Sequence, residues 1–310
     1  MDLSNINPIL LVASIMISAT PILLAAIGEM VVEKSGVLNL GVEGMMISGA
    51  VIGFVVAINS GSPVLGFAVA AVAGAVISLS FGILTQVFLS NQVATGLGLT
   101  LVGLGLSSLI GKPYEGMKTA TLPKLDIPIL GDLPVVGQML FSHDIMVYVS
   151  LLIVLGVWAG LKYTRAGLIL RAVGESHESA HALGYKVIRV RLMAIMFGGA
   201  CAGLGGAYLS LVRVPQWTEG MTAGAGWIAL AIVVFASWRA GRVLVGAYLF
   251  GGITVLQLNL QAAGMTWGVQ YLSMSPYLIT ILVLVLISSN RKKGSHNAPA
   301  SLGQTFHATR

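Results

Sequence analysis

The chain is built from long apolar runs separated by short polar segments. These runs cover residues 9–27, a stretch ending near 58, 64–89, 93–110, 145–161, 192–212, 224–238, 243–260 and 276–288. An α-helix rises 1.5 Å per residue, so about 20 apolar residues cross a hydrocarbon core about 30 Å thick. We therefore predict an all-α, polytopic membrane protein with about nine transmembrane helices, within a range of eight to ten.

The composition agrees with this class and excludes a soluble protein. Of the 310 residues, 56% are hydrophobic and only 9% are charged, whereas soluble domains carry about 25% charged residues. The net charge of +6 comes from bases that cluster in loops, and we expect no nucleic-acid partner. The start of the chain lacks the basic region and small-residue cleavage site of a cleavable signal.

The polar segments predict the orientation of the helices. Residues 162–191 form the only long segment dense in charge, with six basic residues against two acidic ones. Basic loops stay on the cytoplasmic side of a membrane. If nine helices cross and residues 162–191 are cytoplasmic, 13 of the 17 Lys and Arg residues lie inside. We therefore expect an outer N-terminus and an inner C-terminus.

The same pattern predicts one transmembrane domain over residues 1–290 and a disordered cytoplasmic tail over 291–310. Residues 28–44 combine acids, a lysine and glycines. They fit either a cytoplasmic loop or a broken, partly inserted helix.

Two short strings in the sequence resemble motifs of enzymes. His177 and His181 belong to a literal HExxH string, which binds zinc in metalloproteases. That string lies in the basic loop without a nearby third ligand, so we expect no metal site and no catalytic residue. Residues 105–112 resemble a P-loop, but they have one residue too many and lack the following Ser or Thr. Any ATP hydrolysis must occur on another chain.

Two acids near apolar runs share a sequence context. Glu43 lies in VEGMMISGA and Glu219 lies in TEGMTAGAG. Intramembrane acids are costly unless they face water or a partner. The likeness indicates an internal repeat that starts a helix in each half, as in transporters whose sites are formed by interrupted helices. A chance match explains it as well. The small residues of 198–207 indicate close helix packing.

Three blocks carry a resemblance to a known family. These are GEMVVEKSGVLNLGVEGMMISGA at 28–50, LRAVGESHESAHALGYKVIRVR at 170–191, and EGMTAGAGWIALAIVVFASW at 219–238. With SPYLITILVLVL near the C-terminus they resemble, in order, permease subunits of ABC importers of the nucleoside and simple-sugar branch, which is related to the branched-chain amino acid and ribose permeases.

The resemblance implies a permease of the type II ABC importer kind in a bacterial cytoplasmic membrane. Its partners would be a homologous second permease, an ABC ATPase with two nucleotide-binding domains and an extracytoplasmic substrate-binding lipoprotein. ATP and Mg²⁺ would belong to the ATPase, and no cofactor to this chain. The family's coupling segment matches residues 162–191, where the expected ATPase-coupling residues are Glu175, Glu178, Ala180, Leu183 and Gly184.

The substrate path is expected along three regions of the chain. The residues assigned to it are Asn39, Gly41, Glu43, Gly44, Trp227, Gln257 and Asn259. Trp227 fits a base-stacking platform or a membrane-interface anchor. Gln257 and Asn259 fit a water-filled path or hydrogen bonds between helices.

The resemblance favours nucleosides as substrates, with simple sugars as the alternative. An ion-coupled secondary transporter using acids such as Glu43 is a further alternative. That class would leave the long basic loop without a purpose.

Overall fold

The computed structural model describes residues 8–125, 136–262 and 298–307, together with single positions between 271 and 285. The regular elements of these residues are helices, and no strand is found among them. An isolated bridge pairs Lys124 with Asp144.

Eleven α-helices follow one another along the described chain. They are α1 (Pro8–Lys34), α2 (Val42–Ser60), α3 (Pro63–Gln86), α4 (Gln92–Gly111), α5 (Val136–Leu140), α6 (Ile145–Tyr163), α7 (Arg165–Glu175), α8 (His177–Ala182), α9 (Val187–Tyr208), α10 (Ala225–Phe235) and α11 (Ala240–Ala262). A 3-10 turn, Lys112–Tyr114, extends α4, and a π-helical turn, Leu209–Arg213, extends α9.

Seven helices of the described chain are long and apolar enough to cross a membrane. They correspond to seven of the nine predicted runs and confirm a polytopic, all-helical protein. The run at 224–238 instead forms α10, whose 11 residues measure only about 16 Å. The run at 276–288 lies mostly outside the described residues, so the number of about nine stays a prediction.

The segment 28–44, left open by the sequence, divides between a helix and a turn. Residues 28–34 continue α1 as far as Lys34, and residues 35–41 form the connection to α2. Pro21 lies inside α1 without ending it.

Helix α9 lies at the centre of the bundle and packs against α1, α2 and α3. Its glycines allow this approach. A Cβ atom added to Gly206 would overlap the carbonyl oxygen of Met46, and one added to Gly203 would overlap that of Ala70. The close packing predicted from the small residues of 198–207 is therefore confirmed.

One end of the bundle collects basic side chains from several elements. A cavity of about 460 Å³ there is lined by Lys34, Lys162, Arg171, Arg239 and Arg242. Helices α7 and α8 lie at the same end, which we call the basic end.

Residues 298–307, which the sequence places in a disordered tail, pack against the basic end. Ser301 and Phe306 are only 3% and 5% exposed. These two side chains have partners on α7, α8 and α9, although the segment around them is polar.

Candidate functional site: a cavity at the start of a half-length helix

Helix α10 begins near the middle of the bundle. Its first residue, Ala225, lines a cavity together with Pro21, which is the central residue of α1. From there α10 runs toward the basic end, where Trp238 follows it and lines the basic cavity. The helix therefore covers about half of the bundle's depth.

The Glu43 carboxylate holds the start of α10. It accepts hydrogen bonds from the Gly224 and Gly226 backbone N–H groups at 2.9 and 2.7 Å and from the Thr222 hydroxyl at 2.6 Å. Glu43 is only 4% exposed. Charge-assisted bonds to free N–H groups at a helix N-terminus are strong, and they complement the positive end of the helix dipole.

A second glutamate holds the other end of α10. The Trp238 indole N–H donates to the Glu33 carboxylate at 2.5 Å, which ties the residues after α10 to the end of α1. Glu43 and Glu33, both far from α10 in the sequence, thus fix the two ends of the half-length helix.

The cavity at the start of α10 has a volume of about 380 Å³, within the range of small-molecule sites. It lies among α1, the end of α9, α10 and α11. Its polar and aromatic lining consists of Ser18, Arg213, Thr218, Thr222, Thr254, Gln257, Phe250 and Tyr277. Such a lining offers ring faces for stacking and both donors and acceptors for hydroxyl groups.

Irregular backbone surrounds this cavity. Arg213 ends the π-helical turn, and π-helical turns occur often at functional sites. Ala223 has a φ of 45°, which is uncommon for a residue other than glycine. Both residues line the cavity, so two departures from regular helix geometry lie beside it.

A second, mainly apolar cavity of about 460 Å³ adjoins the first. It is lined by Trp227 and shares Ala223, Phe250 and Tyr277 with its neighbour. The Phe250 and Tyr277 rings meet edge to face, with centroids 6.0 Å apart. This aromatic pair therefore forms part of the boundary between the two cavities.

Two of the predicted pathway residues line these cavities. Gln257 lies on the first and Trp227 on the second. Trp227 is 48% exposed, so its ring is accessible for stacking. Asn259 donates to the Val255 carbonyl oxygen of its own helix and does not line either cavity.

The other four predicted pathway residues lie outside the lining of the two cavities. Asn39 accepts a hydrogen bond from the Gly41 backbone N–H at 2.9 Å. Gly41 and Gly44 lie against the backbone of α4, and Glu43 caps α10 from behind the cavity wall. These positions shape the site from outside its lining.

Sequence reasoning missed much of the lining, including Arg213, Thr218, Phe250 and Tyr277. A usable signal was the string of polar residues between the sixth and seventh apolar runs, although nothing local to it shows that the chain returns to the middle of the bundle there.

The predicted coupling segment forms two helices and a sharp turn at the basic end. Glu175, Glu178, Leu183 and Gly184 are exposed, while Ala180 is only 2% exposed. Gly184 has a φ of 85°, and the Gly184 and Tyr185 N–H groups bond back to His181 and Ala180. These bonds close α8 with a Schellman motif and leave Leu183, 76% exposed, at the tip.

The HExxH histidines face the C-terminal segment. The His177 and His181 rings lie edge to face with Phe306, with centroids 5.4 and 5.3 Å away. Within the described residues, no group of three His, Cys, Asp or Glu side chains could hold a metal ion. Both histidines therefore contact the same aromatic side chain.

A bundle of membrane-spanning helices, a cavity at the start of a half-length helix and an exposed helical turn at the basic end together define a polytopic transport permease. The sequence matches the family described as branched-chain amino acid transport system, permease component, over residues 11–287. The chain belongs to this family.

Curated relatives extend over nearly the full chain. It is 40% identical to a Haloferax volcanii protein named "Putative glucose ABC transporter permease protein", over 94% of this chain and 95% of the relative. It is 33% identical to the guanosine ABC transporter permease of Bacillus subtilis, over 92% and 93% of the two chains. A nucleoside ABC transporter permease of Lactococcus lactis is 27% identical over 89% and 92%. No solved structure matches the chain.

Proposed function

We propose that this chain is the membrane-spanning permease subunit of an ATP-driven importer for nucleosides, and that the cavity at the start of α10 lies on the translocation path. The observation that carries the proposal is this cavity. It combines aromatic faces with hydroxyl, amide and guanidinium groups at mid-bundle depth. A nucleoside requires both, because its base stacks on rings and its ribose forms hydrogen bonds.

Simple sugars are the second candidate class. The Haloferax volcanii relative, at 40% identity, bears a glucose name, while the Bacillus subtilis and Lactococcus lactis relatives bear guanosine and nucleoside names. Sugars also use stacking faces and hydroxyl partners, so the lining suits both classes. An ion-coupled secondary transporter is disfavoured, because Glu43 is occupied by three donors from residues 222–226.

We further propose an outer N-terminus and a cytoplasmic basic end. Basic residues from α1, α6, α7 and the start of α11 meet around one cavity, and positive charge is retained on the cytoplasmic side. The subunit would reside in the cytoplasmic membrane.

The exposed turn at Leu183 would enter a cleft of a separate ABC ATPase, which holds ATP and Mg²⁺. An exposed leucine between acidic and basic side chains suits a protein partner better than water. A second, homologous permease would complete the path, and an extracytoplasmic binding protein would deliver the solute. A second glucose ABC transporter permease of Haloferax volcanii, 27% identical over 260 residues, supports a pair of unlike permeases.

The substrate test is uptake of radiolabelled guanosine and glucose by cells with and without this chain, after redundant importers have been deleted. Loss of guanosine uptake that excess glucose does not inhibit supports the nucleoside proposal. Loss of glucose uptake alone moves the substrate to sugars. Loss of neither contradicts both.

The coupling test is Leu183→Asp, with Leu125→Asp on the opposite end of the bundle as the matched control. Leu183 is exposed, so the change leaves the fold intact while placing a charge where the ATPase would dock. We expect uptake to be lost with Leu183→Asp and retained with Leu125→Asp. Equal uptake by both variants would contradict the proposed docking site.

A further inference from the structure

The C-terminal segment, residues 298–307, meets the coupling helices at their corner. The Ser301 backbone N–H donates to the Gly174 carbonyl oxygen at 2.9 Å. The Ser301 hydroxyl donates to the Glu175 backbone carbonyl oxygen at 3.4 Å. The His177 backbone N–H donates to the Ser301 hydroxyl oxygen at 3.4 Å. One buried serine therefore bonds the last residues of α7 and the first residue of α8.

Phe306 completes a small apolar cluster beneath α8. It packs with Val173 of α7, Ala180 of α8 and Val187 of α9, all of which are buried. Its ring also contacts both histidines of α8. Without Phe306, the inner face of the coupling helix would lose its largest apolar neighbour.

Arg191 joins the segment to the membrane helices. It is fully buried, and its guanidinium donates to the Ser35 carbonyl at 3.2 Å, to the Gln86 side-chain oxygen at 3.1 Å and to the Gln304 carbonyl at 3.2 Å. A fourth contact, at 3.4 Å, reaches His177 Nδ1. Arginine only donates, so Nδ1 accepts and the neutral ring carries its proton on Nε2.

Two more bonds connect the segment to the helix connections at the basic end. The Gly303 N–H donates to the Gly36 carbonyl oxygen at 3.1 Å, between α1 and α2. The Gln92 side chain, at the start of α4, donates to the Gln304 carbonyl at 3.5 Å. Ten residues thus contact the α1–α2 connection, α4, α7, α8 and α9.

We propose that residues 298–307 are a positioning strap that holds the coupling helices α7 and α8 in register with the membrane helices, through Arg191, Ser301 and Phe306. The strap contacts the inner side of α8, and Leu183 stays free on the outer side. Motion passing between an ATPase and the bundle would therefore cross the strap contacts. The effect on coupling rests on the proposed function, whereas docking of the strap does not.

Docking of the strap is tested by the rate at which a maleimide labels one introduced cysteine per variant. The labelling uses the full complex in membranes opened at the cytoplasmic side. Ser301→Cys replaces a buried side chain, and Thr305→Cys, an exposed neighbour, is the matched control. The native Cys201 is buried. We expect a maleimide to label position 301 at least about tenfold more slowly than position 305, which corresponds to a docked population above about 90%. Equal rates at the two positions would overturn the proposal, whatever the chain transports.

Coupling is tested by removing residues 298–310 and comparing this with removal of 308–310 alone. In reconstituted complexes, we expect the longer deletion to raise the number of ATP molecules hydrolysed per solute imported severalfold, and the shorter one to leave it unchanged. If the longer deletion prevents assembly, Phe306→Ala takes its place, with Phe306→Leu expected to restore coupling. A ratio unaffected by either change would overturn the positioning role while leaving the transport proposal intact.

Discussion

The Glu43 carboxylate and the Gly226 backbone N–H are 2.7 Å apart, although 183 residues separate them in the chain. This contact fixes where α10 starts and hence where the cavity lies. A Cβ on Gly226 would come within 2.6 Å of the Glu43 Cα atom. The carboxylate therefore needs the free N–H of Gly226, and the close approach of the two backbones leaves no room for a side chain at position 226.

Glu43→Gln should weaken the start of α10. The amide keeps the shape but loses the charge that binds three donors, and hydrogen bonds to charged groups contribute about 1.5–3 kcal/mol each. We expect a lower thermal unfolding temperature of the purified complex and uptake reduced at least about tenfold. Glu219→Gln is the control, since Glu219 is exposed and accepts a hydrogen bond from the Ser108 hydroxyl at 2.6 Å, away from the start of α10. Equal loss in both variants would contradict the capping role.

Gln257→Leu should reduce uptake more than Asn259→Leu does. Gln257 lines the cavity, while Asn259 donates to its own helix. Both substitutions replace a polar side chain of α11 by an apolar one, so we expect them to change membrane insertion equally. Transport kinetics would show a raised KM for Gln257→Leu. An equal effect of the two changes would place the substrate elsewhere.

Gly206→Ala should destabilise the bundle, whereas Gly98→Ala should not. A Cβ on Gly206 would overlap the Met46 carbonyl, while nothing lies within 4 Å of one on Gly98. Overpacking of this kind costs about 1–3 kcal/mol or more, and alanine is otherwise the better helix residue. Thermal unfolding in detergent compares the two variants. Similar unfolding temperatures would show that α9 can shift without cost.

Strap docking should weaken at low pH. Burial, and then the charge of Arg191, lower the pKa of His177 below its ordinary value of 6.5, while Glu178 opposes the shift. Phe306, on the strap side, is uncharged. The docked state therefore binds fewer protons than the released state, so docking is strongest above pH 6.5 and declines as the pH falls toward the lowered pKa.

Labelling of Ser301→Cys as a function of pH measures this decline. The rate should rise relative to that of Thr305→Cys as the pH falls below 6.5. His177→Asn should remove the pH dependence. A constant ratio of the two labelling rates across this pH range would contradict the predicted effect of His177 protonation on strap docking.

The sequence predicts helices well here and the site only in part. Span length depends on local composition, so α3 and α4 end within a few residues of their predicted limits. The start of α10 depends instead on Glu43, which no local pattern connects to Gly226. Ser301 and Phe306 lie in a polar stretch typical of a free tail, and only their partners on α7, α8 and α9 show that they are buried.

The capped start of α10 also bears on which solutes can approach it. An open helix N-terminus facing a cavity attracts carboxylates and phosphates. In this chain Glu43 already occupies that position, and an incoming acid would meet a resident negative charge. The start of α10 therefore offers no free N–H site for a carboxylate, although the family is named for amino acid transport, and Arg213 is the charged group of the cavity lining. If the cavity lies on the translocation path as proposed, we expect Glu43→Gln to change the response of uptake to acidic competitors as well as the stability of the bundle.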